Sequence, residues 1–128
     1  MAHSYRELFV WQRAKAFAVK LYRVTASFPK SETYGLTSQL RRAAVSVASN
    51  IAEGQGRLTA GEFRHFLGQA RGSALEVATQ IAIAEDLGYL NQEGSSLVRE
   101  ADAIVGLINR LLVLCQSAVP SQSAELQI

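Results

Sequence analysis

One stretch of the chain, residues 35–57, limits the fold more than any other. Its apolar residues recur at spacings of three and four, which is typical of an α-helix. They form two groups on opposite sides of that helix: Leu36, Leu40, Ala43, Val47 and Ile51 on the main face, and Val45, Ala48 and Ala52 on the other. A helix that is apolar on nearly three sides is usually enclosed by other helices. The stretch therefore predicts the inner helix of an all-helical assembly.

The remaining flank of this helix is a polar seam. It consists of Gln39, Arg42, Ser46, Asn50 and Glu53, with Arg71 and Glu76 further along the chain as candidate partners. The seam is either a structural network or a contact site for a ligand or nucleic acid. Polar groups between helices must find hydrogen-bond partners, and a seam beside an apolar stripe is usually satisfied internally, which favours the structural interpretation.

Three further segments have helical periodicity. The first spans about 5–28 and ends before Pro29, which cannot continue a helix. Another spans about 60–87, begins at a Thr59–Glu62 capping box and ends before Gly88. The last spans about 92–117. With the central helix at about 36–53, the sequence predicts an up-down-up-down antiparallel four-helix bundle over residues 1–119 and a disordered tail over 120–128.

Several details of these helices are predicted from single residues. We expect helix two to stop at Gly54, and either Thr33 or Thr37 to cap its start. Gly68 and Gly72 lie inside helix three, where each costs about 1 kcal/mol relative to alanine. Close approach of another helix would explain them.

The chain has more apolar surface than one bundle needs. Helices one and four each carry a second apolar line, and helix two is apolar nearly all round, whereas a monomeric bundle needs about one stripe per helix. We therefore expect the surplus to be buried between copies of the chain.

Charge is divided between the two halves of the sequence. Residues 1–71 have a net charge of +7 and residues 72–128 a net charge of −5. The basic candidates for a polyanion-binding surface are Arg6, Arg13, Lys20, Arg23, Arg41, Arg42, Arg57 and Arg64. Equally, this asymmetry could serve docking between subunits, or it could cancel when antiparallel helices fold together.

No motif for catalysis or metal binding is present. The segment 54–57 lacks the Lys-Ser/Thr of a P-loop, and His3 and His65 have no further ligands at metal-binding spacing. Cys115 lies on the core stripe of helix four and is expected to act as a small hydrophobic residue. We expect a non-enzymatic protein with no catalytic residue, no metal and no cofactor.

The sequence also bears on location. Met1 to Tyr5 lead into mixed charged sequence without an apolar segment, so no signal peptide is predicted. No apolar run approaches the length of about 18 residues that a membrane span needs, and a single cysteine cannot form an internal disulfide. A cytoplasmic protein that does not enter a membrane is expected.

A set of short motifs, in order from residue 5 to about 116, resembles a known family. They are Glu7 to Gln12, Phe28-Pro29, Tyr34 to Leu36, Gln39 to Ala44, Ser49 to Gly54, Glu62-Phe63, Phe66-Leu67 and Ala70 to Ser73. The chain resembles the bacterial four-helix-bundle proteins encoded in 23S rRNA intervening sequences. More distantly, it is similar to the accessory variability protein of diversity-generating retroelements.

This resemblance implies more than the residues alone do. It implies a bundle that assembles into a ring, typically a pentamer, with a basic surface for nucleic acid. For the retroelement branch it also implies a reverse-transcriptase partner. No enzymatic activity is established for the family.

Two functional hypotheses follow. In the first, the protein is a ring-forming helical-bundle module that binds RNA or DNA or acts as a scaffold. In the second, it is a purely structural or protein-interaction oligomer, for example an accessory subunit of a reverse transcriptase.

Overall fold

The fold is known from a computed structural model that describes residues 4–117. Four α-helices make up most of it: α1 (Phe9–Thr25), α2 (Leu36–Gln55), α3 (Ala60–Asp86) and α4 (Glu93–Ser117). Short 3-10 helices at Tyr5–Glu7 and Lys30–Glu32 precede α1 and α2. The described part of the chain contains no β-strand, which confirms the all-α prediction.

Neighbouring helices run antiparallel. Gln39 near the start of α2 meets Gln80 near the end of α3, whereas Gly54 at the end of α2 meets Phe63 and Phe66 at the start of α3. The turns α1–α2 and α3–α4 share one end of the bundle, where the Phe28 and Tyr89 rings lie 5.4 Å apart. Each helix packs against the next, and α4 returns to α1 through a lighter contact. The result is the predicted up-down-up-down bundle.

The core lies along the stripes that the periodicity picked out. On α4 the helically spaced line is buried throughout: Leu97, Ala101, Ile104, Ile108, Leu111 and Cys115. On α3 the line is buried except at its first residue: Phe63, Leu67, Ala70, Ala74, Val77, Ile81 and Ala84. The main face of α2 is likewise buried except at Leu36. The outer line of α2 is different, since Val45 is 42% exposed and Ala48 and Ala52 line an open groove beside α1. The α2 helix is therefore enclosed on its inner side only.

The first helix is shorter than predicted. Residues 5–28 do not form one helix, because Leu8 is extended (φ −75°, ψ 124°) and separates the 3-10 turn from α1. At the other end, the N–H groups of residues 26–28 bond to carbonyls three residues earlier, which tightens the chain ahead of Pro29. The prediction of a helix over 5–28 was wrong at both ends.

The sequence predicts that α2 ends at Gly54, but Gly54 lies within the helix. A Cβ at Gly54 would lie 2.8 Å from Phe66 Cβ and 3.0 Å from Phe63 Cδ1. Glycine is needed here because α3 approaches too closely for a side chain. The helix continues to Gln55.

The close approach of another helix, predicted at Gly68 and Gly72, is not found within the described chain. Nothing lies within 4 Å of a Cβ built at either position, and both residues are exposed. They lie on the outward face of α3, away from α2 and α4, and no helix within residues 4–117 approaches them.

The caps of α3 match the sequence. The Thr59 hydroxyl accepts a hydrogen bond from the Glu62 N–H at 3.1 Å, as in a capping box. Gly88 has a φ of 80°, and the Tyr89 N–H bonds to the Ala84 carbonyl at 2.9 Å, which together form a Schellman ending.

Within residues 4–117, no helix combines the length and apolar character that crossing a membrane requires. The predicted tail over 120–128 lies outside the described residues.

Candidate nucleic-acid interface

An open cleft lies at the end of the bundle, between the last turn of α1, the connection over 29–35 and the first turns of α2. We call it the end cleft; its volume is about 650 Å³. Lys30, Arg41 and Arg42 line it, together with hydroxyl-bearing residues that include Thr37 and Ser38. No carboxylate is found among the described residues that line it. The charged side chains known to line the end cleft are therefore all cations.

The start of α2 forms one wall of the end cleft. Gly35 occupies the N-cap position, and neither Thr33 nor Thr37 caps the helix, contrary to prediction. Instead, Glu32 Oε1 accepts a hydrogen bond from the Leu36 N–H at 3.0 Å. The longer side chain of Glu32, one turn earlier, reaches the helix start from the preceding 3-10 turn.

The second carboxylate oxygen of Glu32 is also bonded. The Tyr89 hydroxyl donates to Glu32 Oε2 at 2.9 Å. The Leu36 N–H and the Tyr89 hydroxyl stabilise the carboxylate and hold the pKa of Glu32 below its ordinary value. Glu32 thereby ties the α1–α2 connection to the start of α2 and to the α3–α4 turn.

Arg41 is fixed in place by the end of α1. Its Nε donates to the Thr25 hydroxyl at 2.8 Å and its Nη2 to the Tyr22 carbonyl at 3.1 Å. The guanidinium carbon lies 4.6 Å from the centre of the Tyr22 ring. These partners are neutral, so Arg41 is positioned without being neutralised. Its remaining N–H groups are available to an anion.

A second concavity continues from the end cleft along α1 and α2. This α1–α2 groove has a volume of about 590 Å³, and Tyr22 and Val45 line both it and the end cleft. Its floor is apolar, with Trp11, Ala48 and Ala52 among its residues. Lys15 and Arg23 are its only charged residues within the described chain. It is an apolar surface with a basic edge.

The structure does not bring the eight predicted basic residues together. Arg41 and Arg42 line the end cleft, and Arg23 lines the groove. Arg13 faces α4 instead, where its Nη2 and Nε donate to Glu100 at 2.6 and 3.1 Å and raise the pKa of Arg13. The charge of Arg13 is therefore balanced by Glu100 at the partly exposed contact between α1 and α4.

The other four predicted basic residues are scattered over the surface. Arg57 is paired with Glu53 at 2.6 Å, one turn earlier in the chain. Arg6 lies over the ring of its neighbour Tyr5. Lys20 and Arg64 are exposed. None of these four lines the end cleft or the groove.

The polar seam joins α2 to α3 over part of its length. Ser46 and Ser73 hydroxyls lie 2.9 Å apart, and Asn50 Nδ2 donates to the carbonyl and the hydroxyl of Ser46 at 2.9 Å. About two turns nearer the end cleft, Gln80 Nε2 donates to Gln39 Oε1 at 3.3 Å. These bonds are those of a structural network.

Three predicted members of the seam bond elsewhere or face outward. Arg71 donates to Asn109 on α4 at 2.7 Å rather than to α2. Glu53 pairs with Arg57, and Arg42 is exposed and lines the end cleft. Helical spacing placed Arg42 and Glu53 on one flank of α2 and left Arg71 on α3 as a candidate partner, but it did not show which neighbour each side chain reaches.

Sequence reasoning missed several residues of the end cleft, among them Lys30, Tyr34, Thr37 and Ser38. The tyrosines Tyr22 and Tyr34 were not considered as an exposed aromatic surface, although they are 45% and 96% exposed. A usable signal existed, since Tyr34 lies between Pro29 and Gly35 in a connection where a bulky ring has little to pack against.

Within the described chain, no group of three or more His, Cys, Asp and Glu side chains could hold a metal ion. Cys115 is buried on α4, and burial raises the pKa of its thiol despite the nearby charge of Arg64. The thiol therefore remains protonated, and the prediction that Cys115 acts as a small core residue is consistent with its position.

The sequence matches a family model over residues 6–110, that of the 23S rRNA-intervening sequence protein. The chain belongs to this family. The match spans all of α1, α2 and α3 and most of α4. The family resemblance read from the sequence is thereby confirmed. No curated protein matches the chain in sequence.

The fold also matches that of a crystal structure from Bacteroides thetaiotaomicron, described as a protein of unknown function from the S23 ribosomal protein family. The TM-score is 0.72 at 20% sequence identity, over 80% of this chain and 97% of the other. At this identity the likeness concerns the fold.

Proposed function

We propose that this member of the 23S rRNA-intervening sequence protein family is a non-enzymatic module that binds nucleic acid and assembles into a ring of identical subunits. The proposal of nucleic-acid binding rests on the end cleft, which has three cations and no carboxylate among the described residues that line it. Unbalanced cations in a concave surface attract phosphates, and such binding depends weakly on base sequence.

A charge-reversal pair tests nucleic-acid binding. Arg42→Glu reverses an exposed charge in the end cleft, and Arg99→Glu reverses an exposed charge on α4, outside the cleft and the groove. Fluorescence anisotropy with generic RNA and DNA at low salt should show that Arg42→Glu binds at least about tenfold more weakly than wild type. Arg99→Glu should bind nearly as wild type does.

The outcomes separate the two functional hypotheses. The nucleic-acid function is wrong if wild type binds no RNA or DNA at low salt. It is also wrong if the two variants lose equally little binding affinity. The protein would then be the alternative predicted from the sequence, a structural or protein-interaction oligomer, for example with a reverse transcriptase as its partner.

Self-association is supported by two surfaces that residues 4–117 leave open. One is the α1–α2 groove, which has an apolar floor and a basic edge. The other is the outward face of α3, where Leu75, Ile83 and Leu87 are exposed and Asp86 is acidic. The two surfaces differ in shape and charge, so contact between them is head-to-tail, and head-to-tail contacts that close generate rings. The pentameric copy number is inferred from the family resemblance alone.

A further inference from the structure

The first turn of α2 offers hydrogen-bond donors to the end cleft. Glu32 occupies the Leu36 N–H, and the Gln39 N–H bonds to the Gly35 carbonyl at 3.0 Å. Within the described chain, the N–H groups of Thr37 and Ser38 have no acceptor. Free N–H groups at the start of a 20-residue helix favour an anion, through their own donors and through the helix dipole.

The side chain of Thr37 adds a hydroxyl donor to the end cleft beside the helix start. Thr37 is 8% exposed, and it lines the end cleft. Its hydroxyl makes no hydrogen bond to any described residue. Among the described residues, the only buried side-chain atom without a hydrogen-bond partner is Gln80 Oε1, so the Thr37 hydroxyl is open to the cleft. It can therefore donate a hydrogen bond to a ligand oxygen there.

Arg41 adds a fixed positive charge to these donors. It is half-buried and held by the Thr25 hydroxyl and the Tyr22 carbonyl. It thus presents its remaining N–H groups to the cleft without the entropy cost of ordering a free side chain. Two backbone donors, a hydroxyl and a guanidinium around one concave site match the oxygens of a phosphate group.

The rim of the end cleft carries aromatic surface beside this phosphate-like site. Tyr34 is 96% exposed, so its ring contributes almost nothing to the core. Tyr22 is 45% exposed, with Arg41 over its ring. Aromatic rings and guanidinium planes stack on unpaired bases, whereas a duplex keeps the faces of its bases inside the helix. A phosphate site beside an exposed ring therefore fits one strand better than two.

We propose that the end cleft binds single-stranded nucleic acid, with a backbone phosphate at Thr37, Ser38 and Arg41 and a neighbouring base stacked on Tyr34. This inference rests on the proposed nucleic-acid function and specifies the strand state and the contacts. Phosphate oxygens are the shared chemistry of nucleic acid and free phosphate. The Tyr34 contact is what distinguishes a nucleotide from a free anion.

Fluorescence anisotropy with labelled probes tests the proposal on the full chain. The probes are oligo(rU) and oligo(dT) of about 12 nucleotides, within the usual range of single-strand site sizes, and a duplex of the same length. Wild type should bind both single strands at least about tenfold more tightly than the duplex. Inorganic phosphate is the competitor for the anion site alone.

Two variants separate stacking from phosphate binding. Tyr34→Ala should weaken single-strand binding by about fivefold or more and leave duplex binding unchanged, because it removes only a stacking surface. Thr37→Val keeps the shape and removes the hydroxyl, and it should weaken binding by about threefold or more. Leu58→Ala is the matched control for Tyr34, since Leu58 is 97% exposed in the connection between α2 and α3. Thr79→Val, at an exposed position on α3, is the control for Thr37.

Each other outcome overturns the proposal in a recognisable way. If single strands and duplex bind equally and both cleft variants are neutral, while Arg42→Glu still weakens binding, the protein binds nucleic acid but the single-strand inference is wrong. If inorganic phosphate competes as well as unlabelled single strand at an equal concentration of phosphate groups, and Tyr34→Ala has no effect, the cleft is a free-anion site. If no probe binds at low salt, the inference and the proposed function both fail.

Discussion

At the scale of single residues, Glu32 organises the end cleft more than any of its cations. Its carboxylate accepts hydrogen bonds from the Leu36 N–H and the Tyr89 hydroxyl, at 3.0 and 2.9 Å. These two bonds join the α1–α2 connection to the start of α2 and to the α3–α4 turn. They also occupy the one carboxylate at the start of α2. Both donors are neutral, so Glu32 keeps its negative charge, but its carboxylate is not among the described groups that line the cleft.

Glu32→Gln tests this role through the pH dependence of stability. The pKa of Glu32 is lowered in the folded state, so its contribution is present above the unfolded pKa of about 4.3 and is lost as pH falls through the lower folded value. Thermal unfolding followed by circular dichroism should show wild type more stable than Glu32→Gln near neutral pH. The difference should shrink as pH falls below about 4.

The control for this series is Asp102→Asn, which removes an exposed carboxylate on α4. It should reproduce neither the loss at neutral pH nor the convergence in acid. A constant difference between wild type and Glu32→Gln across the acid range would contradict the role of the carboxylate.

At the scale of the helices, the glycines show which features the sequence predicts and which it does not. Periodicity located all four helices and nearly all of their buried stripes, because apolar spacing reports directly which side faces the core. The close contact was assigned to Gly68 and Gly72, but it occurs at Gly54. A glycine inside a helix indicates either a close approach by another segment or a distinctive surface. The sequence does not show which helix approaches, because that depends on the packing.

The glycines give a paired prediction for stability. Gly54→Ala should destabilise the fold by about 1–3 kcal/mol, because its Cβ would lie 2.8 Å from Phe66 Cβ. Gly68→Ala meets no atom within 4 Å and should stabilise the subunit by about 0.5–1 kcal/mol through helix propensity. Urea unfolding monitored by circular dichroism measures both. Equal effects of the two substitutions would contradict the assigned close approach.

The end cleft was harder to predict than the helices. Arg41 and Arg42 were identified as basic candidates, but their neighbours in sequence did not show that Arg41 bonds to Thr25 and Tyr22 on α1. The cleft is assembled from three segments that meet only after the α1–α2 turn has formed. Helical spacing describes one helix at a time, so it does not predict which side chains from different segments come together.

At the scale of the whole molecule, open apolar surface is the feature that a single chain does not explain. The α1–α2 groove and the outward face of α3 lie on different sides of the bundle, and one has a basic edge where the other carries acid. Burying the two against each other in successive subunits would remove both from water.

Ala48→Glu tests the assembly. It places a carboxylate on the apolar floor of the groove, at a half-buried position on the edge of the core. Size-exclusion chromatography with light scattering should show an oligomer for wild type and smaller species for Ala48→Glu. Ala16→Glu, on an exposed part of α1 outside the groove, should leave the oligomer intact. A stable wild-type monomer at micromolar concentration would contradict self-association.

The central claim is that the cations of the end cleft bind phosphates, and salt dependence measures this most directly. With three cations in contact, the logarithm of the association constant for RNA or DNA should fall against the logarithm of salt concentration with a slope of about −2 to −3. In Arg42→Glu the slope should be smaller by about one. A slope near zero in wild type, or no binding at about 50 mM salt, would contradict the claim.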